Sequence, residues 1–192
     1  MPNRKLVRGF THQREEVFLQ PSGRHLVRVN PAGRDKARQW LENHPWRNHA
    51  YWVQYASQYR ENSADEFITK CVRWLNKTTV VKSEAGLIKG VRTPLVAVLC
   101  VGLEGDHPQD PRTHAHAVIL TKENLSTKAI QKRYVAGYSS IRRYDHDQDG
   151  IGYALDHHHL VVEAAGFQPR HSKSPLTNAE LRKLTLHHEL GW

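Results

Sequence analysis

The chain has 192 residues and a formal charge of +9 at pH 7, because 28 Lys and Arg outnumber 19 Asp and Glu. This length suits one domain with a substantial core and is short for two. The positive charge favours a polyanionic partner such as a nucleic acid. The longest apolar run, residues 95–103, is far shorter than the ~18 residues that a membrane helix needs, so we expect no membrane partner.

The two cysteines bear on the cellular compartment. Cys71 lies in a helical pattern and Cys100 in an apolar strand pattern, which predicts buried thiols in a reducing environment. No apolar segment of the secretory type follows the basic residues near the N-terminus. We therefore expect a cytoplasmic protein.

The pattern of the N-terminal half predicts mainly helices. A turn between two apolar stretches first predicts a hairpin over residues 16–30. Helical spacing then predicts three helices, over residues 35–43, over residues 46–60 and from Ser63 onward, where Ser63 and Glu66 match a capping box. The second of these helices carries an aromatic face, which we assign to the core rather than to a base-stacking surface; its members are Tyr51, Trp52, Tyr55 and Tyr59.

The C-terminal half predicts a sheet. A valine-rich apolar run indicates a central strand over residues 95–103, and a second strand over residues 114–121 is its expected antiparallel neighbour. The further predicted elements are a helix over 127–135, a strand over 138–144, a helix over 151–165 and a last helix capped by Thr177 and Glu180.

This order of elements predicts an α+β fold, an antiparallel sheet with packed helices. We divide the chain into a mainly helical N-terminal extension packed on the core (residues 1–94), the core itself (residues 95–168) and a C-terminal helix (residues 169–192).

Two histidines on the second predicted strand are candidate metal ligands. His114 and His116 are two residues apart, so their side chains leave the same face of the strand, while Ala115 and Ala117 leave the other. Two imidazoles placed in this way can converge on one cation. The pair alone is a weak motif in a chain with 14 histidines, and its context strengthens it.

In that context the sequence resembles the HUH nucleases, which comprise the rolling-circle replication initiators of plasmids and phages and the related tyrosine transposases and relaxases. The resemblance covers residues 95–159. An apolar strand comes first, and the metal-binding strand of the family matches residues 113–119, with alanine as a small middle residue. A tyrosine-bearing segment follows, and it matches residues 150–156.

The resemblance implies a ferredoxin-like core, a bound Mg²⁺ or Mn²⁺ and a single nucleophile, Tyr153. It offers two rival third metal ligands: His157, four residues after the tyrosine as in the transposases, and Glu104, upstream as in many initiators. We favour His157 slightly. The run from His157 to His159 is alternatively a solvated helix face or a set of phosphate contacts.

The implied function is metal-dependent nicking and joining of single-stranded DNA through a 5′-phosphotyrosine, as in replication initiation of a plasmid or phage, with any helicase supplied by another protein. Six basic residues are predicted DNA contacts: Lys122, Lys128, Lys132, Arg133, Arg142 and Arg143. The sequence departs from the family pattern at Asp156, where many family members carry lysine, and this departure argues against full activity. Either another base such as Lys132 or Arg133 serves, or the domain is catalytically lapsed and binds DNA without cutting it.

Two other motifs compete for the same residues. The segment from Asp145 to Asp156 matches the spacing of a calcium-binding EF-hand loop, but its twelfth position is aspartate instead of glutamate and a strand is predicted where a helix should enter. A polar turn in which Asp149 caps the next helix is the preferred interpretation. A histidine-triad nucleotide hydrolase would need a third histidine at position 118, which is valine.

Overall fold

The computed structural model describes residues 5–6, 14–19, 24–56, 64–77, 80–83, 86–102, 113–127, 138–169, 172 and 175–192. The strands are β1 Lys5–Leu6, β2 Arg14–Leu19, β3 His25–Val29, β4 Ala50–Ala56, β5 Val80–Ser83, β6 Gly86–Arg92, β7 Leu95–Gly102, β8 His114–Thr121, β9 Tyr138–Arg143, β10 His159–Val161 and β11 Gly166–Phe167. The helices are α1 Pro31–Asn43, α2 Ala64–Lys77, α3 Gly150–His157, α4 Asn178–Lys183 and α5 Leu186–Glu189, with a short 3₁₀ turn at Arg47–His49.

One large sheet organises the described part of the chain. Its strands follow the order β1-β2-β3-β10-β7-β8-β4-β9, and β11 also pairs with β7, while β5 and β6 form a separate hairpin. The neighbouring strands of the large sheet are antiparallel. The α+β class, the hairpin of β2 and β3 and the antiparallel pairing of β7 with β8 are thereby confirmed.

The sheet is buried on both faces, which is why its central strands are apolar without interruption. On one face, Tyr51 and Tyr55 of β4 pack in a cluster with Phe67 and Trp74 of α2. The opposite face packs against α1, α3, α4 and α5, and its buried members from the sheet are Val29, Ala50, Trp52, Val96, Val98, Cys100, Val118, Leu120 and Leu160. The two-sided burial explains why β7 consists of eight buried residues in succession.

The helix predicted over residues 46–60 is wrong: a short 3₁₀ turn precedes a strand, β4, which lies between β8 and β9. Tyr51, Trp52 and Tyr55 mimic helical spacing, because a strand covered on both faces lacks the alternation of apolar and polar residues that marks a half-buried one. The core assignment of these three aromatics is confirmed, and Tyr59 lies outside the described residues. Strands from both sides of residue 94 therefore share one sheet.

The helix predicted over residues 151–165 is correct at its start and too long at its end. It begins at Gly150 and ends at His157, because the chain then turns into β10, which pairs with both β3 and β7. The buried Leu160 and Val161 belong to this strand. Sheet pairing has here overridden a helical pattern. The helix predicted over residues 127–135 falls almost entirely outside the described residues.

The helix predicted over residues 35–43 is correct at its end but begins earlier, at Pro31. Asn30 caps α1 by accepting a hydrogen bond from the Gly33 backbone N–H, and the capping box of Thr177 and Glu180 opens α4 as expected. Cys71 and Cys100 are buried free thiols, also as expected. Among the described helices, none is both long and apolar enough to cross a membrane.

Candidate functional site

The pairing of β7, β8 and β4 places His116 at one end of the buried sheet. His116 lies opposite Cys100 of β7 and opposite Gln54 of β4, and His114 lies opposite Gly102. Both histidines project from the same face, the one covered by α3, as the two-residue spacing predicts. His116 is buried and His114 is half-buried.

The third histidine of this group is His158, which follows α3 directly. Its Nε2 atom lies 2.9 Å from Nε2 of His114, and its ring centroid is 4.7 Å from that of His116. One ligand atom from each of the three histidines lies within 4.8 Å of the others. Among the His, Cys, Asp and Glu side chains of the described residues, these three histidines are the group that lies close enough together to hold a metal ion.

The orientation and charge of His158 suit a metal ligand. Its Nδ1–H donates to the carbonyl of Ala154 at 3.2 Å, which leaves the lone pair of Nε2 facing the other two histidines. A backbone carbonyl plays this supporting part in many metal sites. Burial lowers the pKa of His158 to about 3, with further lowering by His116 and His114. At neutral pH the ring is therefore neutral, as coordination requires.

The structure brings His158, and not the sequence-favoured His157, together with His114 and His116. His157 is the last residue of α3 and is exposed, with Nε2 3.8 Å from a carboxylate oxygen of Asp156, and it is absent from the metal-binding group. His158 has left the helix, with φ −133° and ψ 167°, so helical spacing does not describe its side chain. The rival ligand Glu104 lies outside the described residues.

Sequence reasoning also missed Gly102, which the site requires. An ideal Cβ at this position would lie 2.7 Å from Cε1 of His114 and 2.9 Å from Cδ2 of His158. These are far inside ordinary carbon–carbon contact. Any other residue at position 102 would displace the two imidazole rings. The sequence alone does not indicate this, because it depends on the strand register that places Gly102 opposite His114.

Tyr153 lies beside the histidines on the exposed side of α3. Its side chain is 47% exposed, and its ring centroid lies 5.7 Å from that of His116, 5.9 Å from that of His158 and 4.8 Å from that of His157. The helix is oriented by its buried face, where Ile151 and Leu155 pack against the sheet. A phenol accessible to solvent thus borders the metal-binding group.

The start of α3 is fixed by the polar turn before it. Asp149 accepts a hydrogen bond from the Gly152 backbone N–H, and its other oxygen accepts from Nε and Nη2 of Arg38 on α1 at 2.9 and 2.6 Å. The hydrogen bond from Arg38 lowers the pKa of the Asp149 carboxyl. The turn acts as a helix cap, as preferred from the sequence, and a strand, β9, precedes it instead of the helix that an EF-hand needs.

Asp156 faces α1 and forms a salt bridge with it. Its carboxylate lies 3.0 Å from Nη1 of Arg34, and its backbone carbonyl accepts from Nη1 of Arg28 at 3.1 Å. The residue that departs from the HUH pattern therefore links α3 to α1. These contacts give a structural reason for an aspartate at position 156, which the sequence pattern did not indicate.

No protein-family model, no curated protein and no solved structure matches this chain.

The predicted DNA contacts separate into different places. Arg142 lines a cavity together with Tyr153 and His116. Arg143 instead donates to the carbonyl of Asn48 and lies over the Tyr51 ring. Lys122 follows the far end of β8, about 20 Å along the strand from His116 at roughly 3.3 Å per residue. The remaining three, Lys128, Lys132 and Arg133, lie outside the described residues.

Proposed function

We propose that the protein is a metal-dependent nuclease of the HUH type that nicks and rejoins single-stranded DNA through Tyr153. The observation that carries the proposal is the position of Tyr153, an exposed tyrosine whose ring borders a three-histidine group able to hold a metal ion. A nucleophile placed beside a metal site is the arrangement that phosphoryl transfer needs. The net charge of +9 suits a DNA substrate.

The donor set bears on the choice between Mg²⁺ and Mn²⁺. Mg²⁺ prefers oxygen ligands in a strict octahedron, whereas His114, His116 and His158 offer three imidazole nitrogens. Mn²⁺ binds such a site more strongly than Mg²⁺ does, because imidazole suits transition metals better. We therefore propose Mn²⁺ as the better-fitting ion of the two. When bound, it would polarise a phosphate oxygen and stabilise charge that develops in the transition state.

The proposed reaction is a transesterification. The phenolic oxygen of Tyr153 forms a bond to phosphorus, the bond from phosphorus to the 3′ oxygen breaks, and the phenolic proton is lost while the departing oxygen gains one to become a 3′-hydroxyl. The product is a 5′-phosphotyrosine, which conserves the phosphodiester energy and permits rejoining by the reverse step. Among the described residues that line the cavity beside Tyr153, Arg142 is the basic one. We propose that it neutralises the scissile phosphate in place of the lysine that many family members carry at the position of Asp156.

Replication initiation on a plasmid or phage is the biological setting that we propose for this chemistry, with another protein supplying the helicase. A catalytically lapsed domain that only binds DNA is the alternative. Asp156 no longer favours that alternative by itself, since its contact with Arg34 accounts for an aspartate at this position.

The deciding experiment is incubation with random single-stranded oligonucleotides and Mn²⁺, followed by denaturing electrophoresis. We expect a protein band shifted by covalent DNA. Tyr153→Phe should abolish the shifted band and leave metal binding unchanged, because it removes only the hydroxyl. Tyr55→Phe is the matched control, since Tyr55 is buried on the opposite face of the sheet, and it should retain the band. An adduct that survives in Tyr153→Phe would refute the assignment of the nucleophile. DNA binding without any adduct would favour the lapsed domain.

A further inference from the structure

A cavity opens beside Tyr153, on the side away from His157. It has a volume of about 390 Å³ and extends from His116 across β4 to β9 and the turn before α3. This volume is at the lower end of the range for pockets that hold small ligands. His116 of the candidate metal-binding group and Tyr153 both belong to the wall, so whatever enters the cavity lies next to both of them.

The strands β4 and β9 contribute two polar side chains, Gln54 and Arg142, to the cavity wall. Gln54 lies opposite His116 on one side and opposite Ser140 on the other, and Arg142 lies opposite Trp52. Because residues 52 and 54 share a face of β4, all these side chains lie on one surface of the sheet. Gln54 and Arg142 are both exposed, and neither side chain has a hydrogen bond or an ion pair with another described residue.

Aromatic rings form a second part of the wall, and the turn before α3 adds Asp145, Gln148 and Asp149. Trp52 stacks on His116 with ring centroids 5.1 Å apart, and the hydroxyl of Tyr144 is held by the Ile151 backbone N–H at 2.9 Å. Gly150 lies between these rings, and a Cβ there would be 3.1 Å from both Cζ3 of Trp52 and Cε2 of Tyr144. The two rings are thus fixed by the fold before any ligand binds, which lowers the entropic cost of binding.

We propose that this cavity binds one unpaired purine base of the DNA strand, adjacent to the phosphodiester that Tyr153 attacks, and that Gln54 determines the choice of base. The proposal rests on the proposed function, because it takes single-stranded DNA as the ligand. It adds a residue that specifies sequence, which neither the histidines nor Tyr153 can do, since they act on the phosphate and sugar backbone that every nucleotide shares.

The chemistry of Gln54 and Arg142 suits a purine. The glutamine amide carries one donor group and one acceptor, which match N7 and the N6 amino group of adenine. The guanidinium of Arg142 carries donors alone, and it can pair with O6 and N7 of guanine or with a backbone phosphate. Both side chains therefore find two-point partners on a purine edge, and the aromatic wall offers apolar contact to the ring.

The test is selection of tightly bound sequences from a random single-stranded DNA library in the presence of Mn²⁺, carried out on the full chain. The wild-type protein should enrich a purine at one position. Gln54→Leu keeps the size of the side chain and removes its hydrogen bonds, so it should reduce that base preference by about tenfold. Gln39→Leu is the matched control, because Gln39 is an exposed glutamine of α1 outside the cavity, and it should leave the preference unchanged.

The outcomes separate the pocket from the nuclease activity. Binding without a preferred purine, or a preference that Gln54→Leu leaves unchanged, overturns the pocket while covalent adduct formation by Tyr153 still stands. A purine preference that requires Gln54 in a protein that never forms an adduct supports the pocket and refutes nicking. Failure to bind single-stranded DNA overturns both.

Discussion

Replacing Gly102 by alanine tests the metal-binding group through a residue that is not itself a ligand. Gly102 lies on β7 directly opposite His114, and the rings of His114 and His158 lie over it. Alanine adds a single carbon at a place where both rings already approach the backbone. The substitution changes no charge and removes no hydrogen bond, so its effect reports the geometry of the two rings.

The expected size of the effect follows from the distances. The added Cβ would lie 2.7 Å from His114 and 2.9 Å from His158, whereas unstrained carbon contacts begin near ~3.5 Å, so the rings must move by roughly 0.6–0.8 Å. Metal–ligand distances tolerate only about 0.2 Å. We therefore expect the affinity for Mn²⁺ to fall by about 10- to 100-fold. Overpacking should also lower the free energy of unfolding of the metal-free protein by about 1–3 kcal/mol.

Calorimetric titration with Mn²⁺ and urea denaturation measure the two effects separately. Gly166→Ala is the matched control, because Gly166 of β11 also pairs with β7 but lies opposite Val96, and a Cβ there meets Leu181 and Thr185 at 3.2 Å. It should leave the affinity for Mn²⁺ unchanged. Undiminished metal binding in Gly102→Ala would refute the reasoning, since it would mean that the rings over Gly102 do not hold the ion.

Three further predictions concern the helix cap, pH and salt. Asp149→Ala should lower the free energy of unfolding by about 1–2 kcal/mol because it removes the cap of α3, and Asp149→Asn, which keeps an acceptor, should lower it less; equal losses in urea denaturation would contradict this. Burial lowers the pKa of His44 from 6.5 to about 4, so the unfolded chain binds more protons between these values and stability should fall by about 3 kcal/mol as pH drops through that range. His44→Gln should flatten part of this decline, and an unchanged pH profile would argue against a neutral buried imidazole. Arg142→Gln should reduce the salt dependence of DNA binding by about one counterion, whereas Lys122→Gln, roughly 20 Å along β8 from the site, should not; the reverse result would place the DNA elsewhere.

Local sequence patterns were sufficient to predict the elements that are determined by interactions between residues close together in the chain. The apolar run over residues 95–103 predicted β7, and the two-residue spacing of His114 and His116 placed both rings on one face of β8. A capping box predicted the start of α4, and Asp149 was expected to cap α3. In each case the deciding interaction joins residues within about one helical turn or one strand, so the sequence contains all of it.

Long-range pairing decided the remainder. Residues 50–56 have the spacing of a helix but form β4, because partners on β8 and β9, at least 58 residues further along the chain, satisfy their backbone groups. The same pairing brings Gln54 beside His116 and Arg142 beside Trp52, and no local pattern in the sequence indicates these neighbours.

By itself, then, the sequence determined a basic α+β protein with two histidines on one strand and a tyrosine on a following helix, because charge and side-chain periodicity are local properties. Only the tertiary structure decided which histidine completes the metal-binding group. Pairing of β10 with β3 and β7 ends α3 at His157 and turns the chain into an extended conformation at the next residue. That turn directs His158 at His114 over the bare backbone of Gly102, a convergence of three segments that lie far apart in the chain.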